Sequence, residues 1–380
     1  MLVNASATST SATFAVAAND AAELMKPLTG LARAVARPSA GFVFLAGEIA
    51  RDASLVARAV GQAWPGVPTV IATGAGVMNE RAAFEGQSSA AAVLVSGVRA
   101  APFVVPSSAD ALGPALTRAV GQATEGRAAT AVLFVTPDPW SPDALDDLAP
   151  NVHVVGGGTL PERSPIVVEA SGAISSGMVA GLALFGAPAV IGVSSACRPL
   201  ADGPRSITEA HGAVVLSLGG EPALDVLSRA AQGLEGRPLV LALHPSREDP
   251  SGRRGAKVRP IRGVDPTRKA VVLGEAVRVG ERMGFAVLDG SAARADLEVT
   301  LREASRRAAG AAARFALYVG CAGRGSALYG TSGVDARLVR AQFPSLPFAG
   351  VMSSFELAPA GGRPAMHLYT GVLGLFTVLS

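Results

Sequence analysis

Apolar positions along the chain fall into two textures: short runs of Val, Ala and Leu bounded by Gly or polar residues, and longer stretches with apolar positions every three or four residues. The first texture predicts short buried strands and the second predicts amphipathic helices. Asp20 to Arg37 has helical spacing, with Asp20 placed as a cap and Glu23 three residues later. A strand at Phe42–Ala46, a helix near Asp52–Ala63, a strand at Thr69–Thr73 running into Gly74-Ala75-Gly76 and a strand at Ala91–Val95 follow. The succession returns as a helix near Ser108–Gln122, a strand at Ala131–Val135, a helix near Asp143–Leu148, and a strand at Val152–Val155 ending in Gly156-Gly157-Gly158. Strands at Val179–Leu184 and Ala189–Val193 complete it. It returns again as a helix over Ala292–Ala309, then Phe315–Val319, a helix Val334–Gln342, Phe348–Met352 and Leu373–Val378. Element order and the glycines after the second strand predict an internal helix-strand-helix-strand-strand repeat built of layered α/β modules.

Between the second and third repeats the texture changes. Ile207–Ala210 and Ala213–Leu218 flank His211-Gly212, a hairpin signature, and Pro222 opens a helix through Ala231. Leu239–Leu243, Lys257–Ile261, Ala270–Ala276 and Gly284–Leu288 read as strands, several of them antiparallel. The loop Pro245–Gly255 has no core-forming residue and is expected to be exposed and mobile. The fold class that follows is α/β, in the layered α+β sense: two lobes of mixed sheets flanked by helices. The sheets are arranged either as separate open sheets or as face-to-face sheets in a four-layer αββα order. The expected division is a flexible tail over 1–20, one domain over 21–205 and a second over 206–380, since a chain of 380 residues exceeds what one core normally holds.

Composition narrows the classes. Hydrophobic residues make up 49% and charged residues 17%, a globular balance. Gly177 to Val193 is the longest apolar region, and Gly181, Gly186 and Pro188 cut it into strand lengths, so no membrane association is expected. Met1 to Ala12 carries Ser and Thr where a secretory leader needs Lys or Arg, so a cytoplasmic location is expected. Two distant cysteines, Cys197 and Cys321, give neither a disulfide framework nor a metal spacing. Net charge is +3, and the basic cluster Arg247, Arg253, Arg254, Lys257, Arg259 and Arg262 has no interleaved aromatics. It reads as a solvated loop or a contact for an anionic ligand or partner, not for nucleic acid.

Chemistry-bearing motifs are sparse. Gly74-Ala75-Gly76 is not completed as G-x-G-x-x-G, because residue 79 is Asn, and no P-loop is present. Gly156-Gly157-Gly158 and Gly323-Arg324-Gly325 are either backbone nests for an anion or tight turns at sheet ends. Cys321, just past a buried strand and three residues before Arg324, is either a thiolate favoured by that cation or a structural or ligand-contacting cysteine. His153, His211, His244 and His367 are isolated from one another, which argues against structural zinc, although one histidine suffices to ligate haem iron. Ser194-Ser195-Ala196-Cys197-Arg198-Pro199 lacks a nucleophile elbow, and Arg198 offers a fork suited to a carboxylate, with a surface salt bridge as the plainer reading. Glu356, between Phe355 and Leu357, is an acid among apolar residues, and burial would demand a partner for it.

These motifs, in this order, resemble the FIST family of sensory domains. The N-terminal part of that family is resembled by Thr69–Val77, Ala90–Ser96 and Val154–Thr159. Cys197-Arg198-Pro199-Leu200, Ile207-Thr208-Glu209-Ala210 and Glu221 to Leu227 carry stronger likeness. Ile261 to Pro266, Val279 to Phe285, Cys321 to Gly325, Phe348-Ala349-Gly350 and Glu356-Leu357-Ala358-Pro359, followed by His367 and Thr370, match the C-terminal part. The resemblance covers about residues 25 to 380, and it departs at Phe355, where the family usually has glycine, and at Val77-Met78-Asn79.

The resemblance implies a sensor of small ligands, amino acids among them, that feeds a separate partner such as a histidine kinase or a cyclic-dinucleotide enzyme, since no output segment is attached. The expected ligand site lies between the lobes and uses Gly74, Gly76, Gly157, Arg198, Arg262, Cys321, Arg324, Gly325 and Glu356. No catalytic group, metal or cofactor is expected. The alternatives are a cysteine-dependent enzyme using Cys321, a haem-binding gas sensor and a ligand-free scaffold.

Overall fold

The computed structural model describes residues 9–109, 111–187, 189–234, 239–245, 256–309 and 311–377. By its internal contacts the chain divides into two compact units, and the division differs from the one expected at 205/206. The larger unit comprises residues 1–193, 297–366 and 370–380; the smaller comprises 194–296 and 367–369.

The larger unit is made of three modules with one construction. The first contains β1 (Ser11–Ala17), α1 (Ala21–Ala34), β2 (Pro38–Ala46), α2 (Ala53–Ala63), β3 (Thr69–Gly74), the hairpin β4 (Gly76–Asn79) and β5 (Ala83–Glu85), and β6 (Ser89–Ser96). Asp20 caps α1 as the sequence predicts, its carboxylate accepting the N–H groups of Ala22 and Glu23. Ser11–Ala17, expected within a flexible tail, pairs with β6 along its whole length. The second module contains β7 (Arg99–Val105), α3 (Leu112–Thr124), β8 (Ala129–Val135), β9 (Val152–Gly158), the hairpin β10 (Ile166–Val168) and β11 (Ile174–Ser176), and β12 (Val179–Phe185). The helix expected over Asp143–Leu148 is only a 3-10 turn, Pro142–Leu145. Pro150 disfavours helical backbone at the residue before it, and the segment left over is too short to sustain a helix.

The third module opens with β13 (Ala189–Ser195). The smaller unit then intervenes, with β14 (Cys197–Pro199), β15 (Arg205–His211), β16 (Val214–Leu218), β17 (Glu221–Pro222), α4 (Ala223–Ala230), β18 (Val240–His244), β19 (Lys257–Asp265), β20 (Ala270–Leu273) and β21 (Arg282–Leu288). The third module resumes with α5 (Gly290–Arg307), β22 (Ala313–Cys321), α6 (Ser326–Tyr329), α7 (Val334–Gln342), β23 (Phe348–Ser353), the hairpin β24 (Glu356–Ala360) and β25 (Arg363–His367), and β26 (Thr370–Thr377).

In each module a helical crossover or turn joins two parallel strands: β2 with β3, β8 with β9, β22 with β23. The closing strand of each module lies antiparallel on the other side, β6 on β2, β12 on β8 and β26 on β22. Each hairpin leaves its own module. β4 pairs with β23, β24 with β9 and β10 with β3, so the three modules exchange hairpins in a closed cycle. The result is three six-stranded sheets, β1-β6-β2-β3-β10-β11, β7-β12-β8-β9-β24-β25 and β13-β26-β22-β23-β4-β5. The predicted repeat is thus present and longer than the sequence showed, because an edge strand precedes each helix.

Alternation along the strands explains the packing. Phe42 and Phe44 point into a core shared by all three sheets, with Val132, Phe134, Val155, Phe315, Leu317 and Phe376. Phe42 stacks on Phe315 at 6.2 Å, and Phe44 meets Phe134 edge-on at 5.5 Å. The intervening Val43 and Leu45 face the opposite way and pack with Leu24 and Leu28 of α1 and Val56 and Val60 of α2. Ala316, Tyr318 and Phe348 do the same with Leu297, Leu301 and Val339. Strands covered on both faces carry apolar residues continuously, which is why the sequence shows runs and not alternation. Three sheets therefore share one interior, in place of the two face-to-face sheets considered from the sequence.

In the smaller unit β21 pairs with both β15 and β18, which closes the order β21-β15-β16-β20-β19-β18 on itself. The predicted hairpin is present, with His211 opposite Val214. Val215, Leu218, Val271 and Phe285 fill the interior with Val226 of α4. Residues 246–255, expected to form a mobile loop, lie outside the described residues, and Arg247, Arg253 and Arg254 with them.

Candidate functional site

The points where the three hairpins leave their modules come together. Ala75 N–H donates to the Met352 carbonyl at 2.8 Å, Gly158 N–H to Phe355 at 2.8 Å, and Ser354 N–H to Gly158 at 3.1 Å. Leu160 N–H reaches the hydroxyl of Thr73 at 3.3 Å. Chain crosses chain here without room for side chains. A Cβ at Gly74 would stand 2.5 Å from the Met352 carbonyl oxygen, one at Gly76 2.6 Å from that of Phe84, and one at Gly157 2.5 Å from that of Phe355. Close approach of backbone to backbone accounts for glycine at all three positions.

Glu356 begins β24 at this junction, opposite Gly157. It is fully buried. Its Oε2 accepts the N–H of Thr370 at 3.1 Å and the Thr370 hydroxyl at 2.7 Å, and its Oε1 lies 3.0 Å from the Ser353 hydroxyl, which is also 3.3 Å from the Gly320 carbonyl. Burial pushes its pKa up to about 8, against the donors from Thr370 and Ser353 and the charge of Arg324. Thr370 donates to Oε2 through its N–H and its hydroxyl and Ser353 donates to Oε1, so both carboxyl oxygens are engaged.

Arg324 follows β22 in the turn Ala322–Arg324. Its side chain is 1% exposed and forms an ion pair with Asp335 of α7, Nε to Oδ2 at 2.9 Å. Nη2 donates to Asp335 Oδ1 at 3.2 Å and to the Tyr329 hydroxyl at 3.0 Å. The hydroxyls of Tyr318 and Tyr329 each donate to Asp335 at 2.7 Å. One buried carboxylate thus holds a guanidinium and two phenols. Burial works against the arginine's charge, but Tyr318 and Asp335 outweigh it and hold its pKa well above the ordinary range. Burial, with the charge of Asp335, likewise raises the Tyr318 phenol. Nη1 of Arg324 is buried and has no hydrogen-bond partner. Gly371 connects the two groups: a Cβ there would stand 3.3 Å from Arg324 Nε, and Thr370, its neighbour in the chain, binds Glu356.

Cys321 ends β22 opposite Ser353 and is buried. Its sulfur accepts the Gly323 N–H at 3.4 Å. Gly325 presses on Glu85, where a Cβ would lie 2.5 Å from Oε2, and Glu85 accepts the N–H groups of Ser326 at 2.8 Å and Gly333 at 3.3 Å. The larger unit therefore holds Gly74, Gly76, Gly157, Cys321, Arg324, Gly325 and Glu356. Arg198 and Arg262 belong to the smaller unit. Arg198 pairs with Asp289 at 2.9 Å, and Arg262 is exposed beside Gly274. Asp289 is held well below the ordinary carboxylate range by the Ser291 hydroxyl, then by the Ala292 N–H and Arg198.

Asp335, Tyr318 and Tyr329 escaped the sequence reading. Asp335 sits in the first turn of a helix, where acids normally face solvent and complement the dipole. Among the described residues no group of three or more His, Cys, Asp or Glu side chains converges as a metal site, and no helix is long and apolar enough to cross a membrane.

The FIST N domain matches residues 39–221 and the FIST C domain residues 223–359. The chain belongs to the FIST family. FIST domains are associated with small-ligand sensing in signalling. An uncharacterized protein of Mycobacterium bovis is 32% identical to this FIST chain over 53% of the chain and 54% of the relative. An uncharacterized protein of Mycobacterium tuberculosis is 30% identical over 64% of the chain and 67% of the relative. The match to the first of these spans about half of its length.

Proposed function

We propose that this FIST chain senses a small amphoteric molecule, an amino acid, at the Arg324–Glu356 cluster of the larger unit. It passes the signal to a separate protein, of which a histidine kinase or a cyclic-dinucleotide enzyme is the expected kind. The supporting observation is the buried Nη1 of Arg324, left without a partner beside a carboxyl group that burial holds near neutrality. A buried unsatisfied donor costs about 1–3 kcal/mol, and a ligand carboxylate would recover that cost. A ligand ammonium beside Glu356 would favour its ionised form, so binding would release a proton. Cys321, Gly325 and the crossing glycines Gly74, Gly76 and Gly157 set the backbone frame around these two side chains.

Titration calorimetry with the twenty common amino acids tests this reading. Micromolar binding is expected for at least one, with affinity reduced about tenfold or more in Arg324→Lys, which keeps the charge and loses the fork, and in Glu356→Gln, which is isosteric. Thermal melts of both variants check that the fold persists. Absence of binding across the panel, or unchanged affinity in both folded variants, overturns the assignment.

A further inference from the structure

The smaller unit carries a cleft of about 760 Å³ at one end of its closed sheet, where β18 ends, β19 begins and the chain runs from β20 into β21. Lys257, Arg278 and Arg282 line it with His244, and Val277 and Val279 supply apolar wall. Among the described residues two acids also face it, and both are engaged. Glu275 lies 2.7 Å from Nε of Arg259, whose side chain is 6% exposed, and Glu281 accepts the backbone N–H of Arg278 at 3.2 Å. Arg282 donates to the Pro204 carbonyl at 2.6 Å. With Arg259 cancelling Glu275, the described residues of the cleft carry an excess of positive charge.

Its wall is built in advance. The segment from Val277 to Gly280 is pinned by Val277 N–H to the Gly212 carbonyl at 3.0 Å and Gly280 N–H to the Ile207 carbonyl at 2.9 Å. Gly280 takes φ +92, a left-handed backbone that glycine accommodates. This turn holds Val279 62% exposed. His244, which also lines the cleft, has a buried Nε2 with no hydrogen-bond partner. Burial, outweighing the pull of Glu275, keeps its pKa below the ordinary value, so the ring is neutral at neutral pH and offers one donor and one acceptor.

We infer that this cleft binds a small organic anion, one with a phosphate or carboxylate head and an apolar body. Lys257 and Arg278 take the head, Val277 and Val279 the body, and His244 Nε2 fixes the orientation. A bare inorganic ion would leave most of the volume empty, whereas the cleft falls in the roughly 300–1,000 Å³ range of pockets that enclose whole organic molecules. The inference is independent of the Arg324–Glu356 reading, since its residues belong to the other unit.

Calorimetry on the full chain with adenosine 5′-monophosphate, phenylacetate and inorganic phosphate tests it. One organic probe is expected to bind at least about tenfold more tightly than inorganic phosphate, with affinity falling as ionic strength rises. Preference for the nucleotide assigns a phosphate head, and preference for phenylacetate a carboxylate head. The double variant Lys257→Ala with Arg278→Ala, at two exposed positions, is expected to bind at least about tenfold more weakly with an unchanged melting temperature. Binding of no probe, binding of inorganic phosphate as tight as that of the organic probes, or equal binding by the double variant overturns the inference.

Discussion

The first and third modules of the larger unit share one strand order and one pattern of pairing, yet only the third contains buried charge. At the end of the parallel ladder the first module places Ala46 opposite Gly74, and the third places Cys321 opposite Ser353. The exchanged strand opens with Gly76 in the first and with Glu356 in the third. After the first parallel strand, the first module runs through an exposed Glu48 and Arg51, where the third sends Arg324 inward to Asp335. A common scaffold therefore supplies position, and of these two modules only the third places buried charged groups there. A buried acid at Glu356, where the first module opens its exchanged strand with Gly76, points to a role other than stability.

The third module is most sensitive at Asp335. Asp335→Ala leaves the Arg324 guanidinium and two phenols without their acceptor, and a buried charge stripped of its partner costs about 3–5 kcal/mol. Urea denaturation should show that loss, while a change under about 1 kcal/mol would mean that water reaches the site and the third module is no different from the first.

Glu356 gives the next effect, and its sign is fixed. Between the ordinary carboxylate value of 4.5 and about 8, the folded chain holds a proton that the unfolded chain has released. Stability from this group is complete below 4.5 and is lost as pH rises to about 8, by on the order of 4 kcal/mol. Glu356→Gln should flatten this part of the pH profile measured by chemical denaturation. A wild-type profile that rises over the same window would show Glu356 ionised in the folded state.

Gly76→Ala tests the sister position. The new Cβ would meet the Phe84 carbonyl oxygen at 2.6 Å and Met352 Sδ at 2.7 Å, and crowding of this kind typically costs about 1–3 kcal/mol. An unchanged melting temperature would mean that the crossing point yields and that glycine there has another purpose.

Much of the scaffold was legible because the physics was local. Phe42–Ala46 and Thr69–Thr73 read as buried strands from uninterrupted apolar runs, and Asp20 with Glu23 announced α1. The exchange of hairpins was not legible. β10, β11, β24 and β25 are short, and Ile174–Ser176 carries polar residues, so their partners are set by tertiary contact with another module and not by pattern. The edge strands β1 and β7 failed for a related reason, since each is covered on one side only. Arg324 and Glu356 stood out as charges within apolar motifs. What surrounds them did not, because Asp335 looks like any acid at a helix start and only the fold turns it inward.

The mildest contrast sets an exposed ion pair against the buried one. Arg51 and Glu48 approach to 2.8 Å with side chains 66% and 67% exposed, a shorter distance than the 2.9 Å between Arg324 and Asp335 at 1% and 6%. Distance alone would rank the first-module pair as the stronger. Solvent reverses that order, since water screens the exposed pair and the two ordered side chains lose entropy, leaving about 0.5 kcal/mol or less. Glu48→Ala should therefore move the denaturation midpoint barely beyond error. A loss comparable to that of Asp335→Ala would mean that burial is not what separates the two modules.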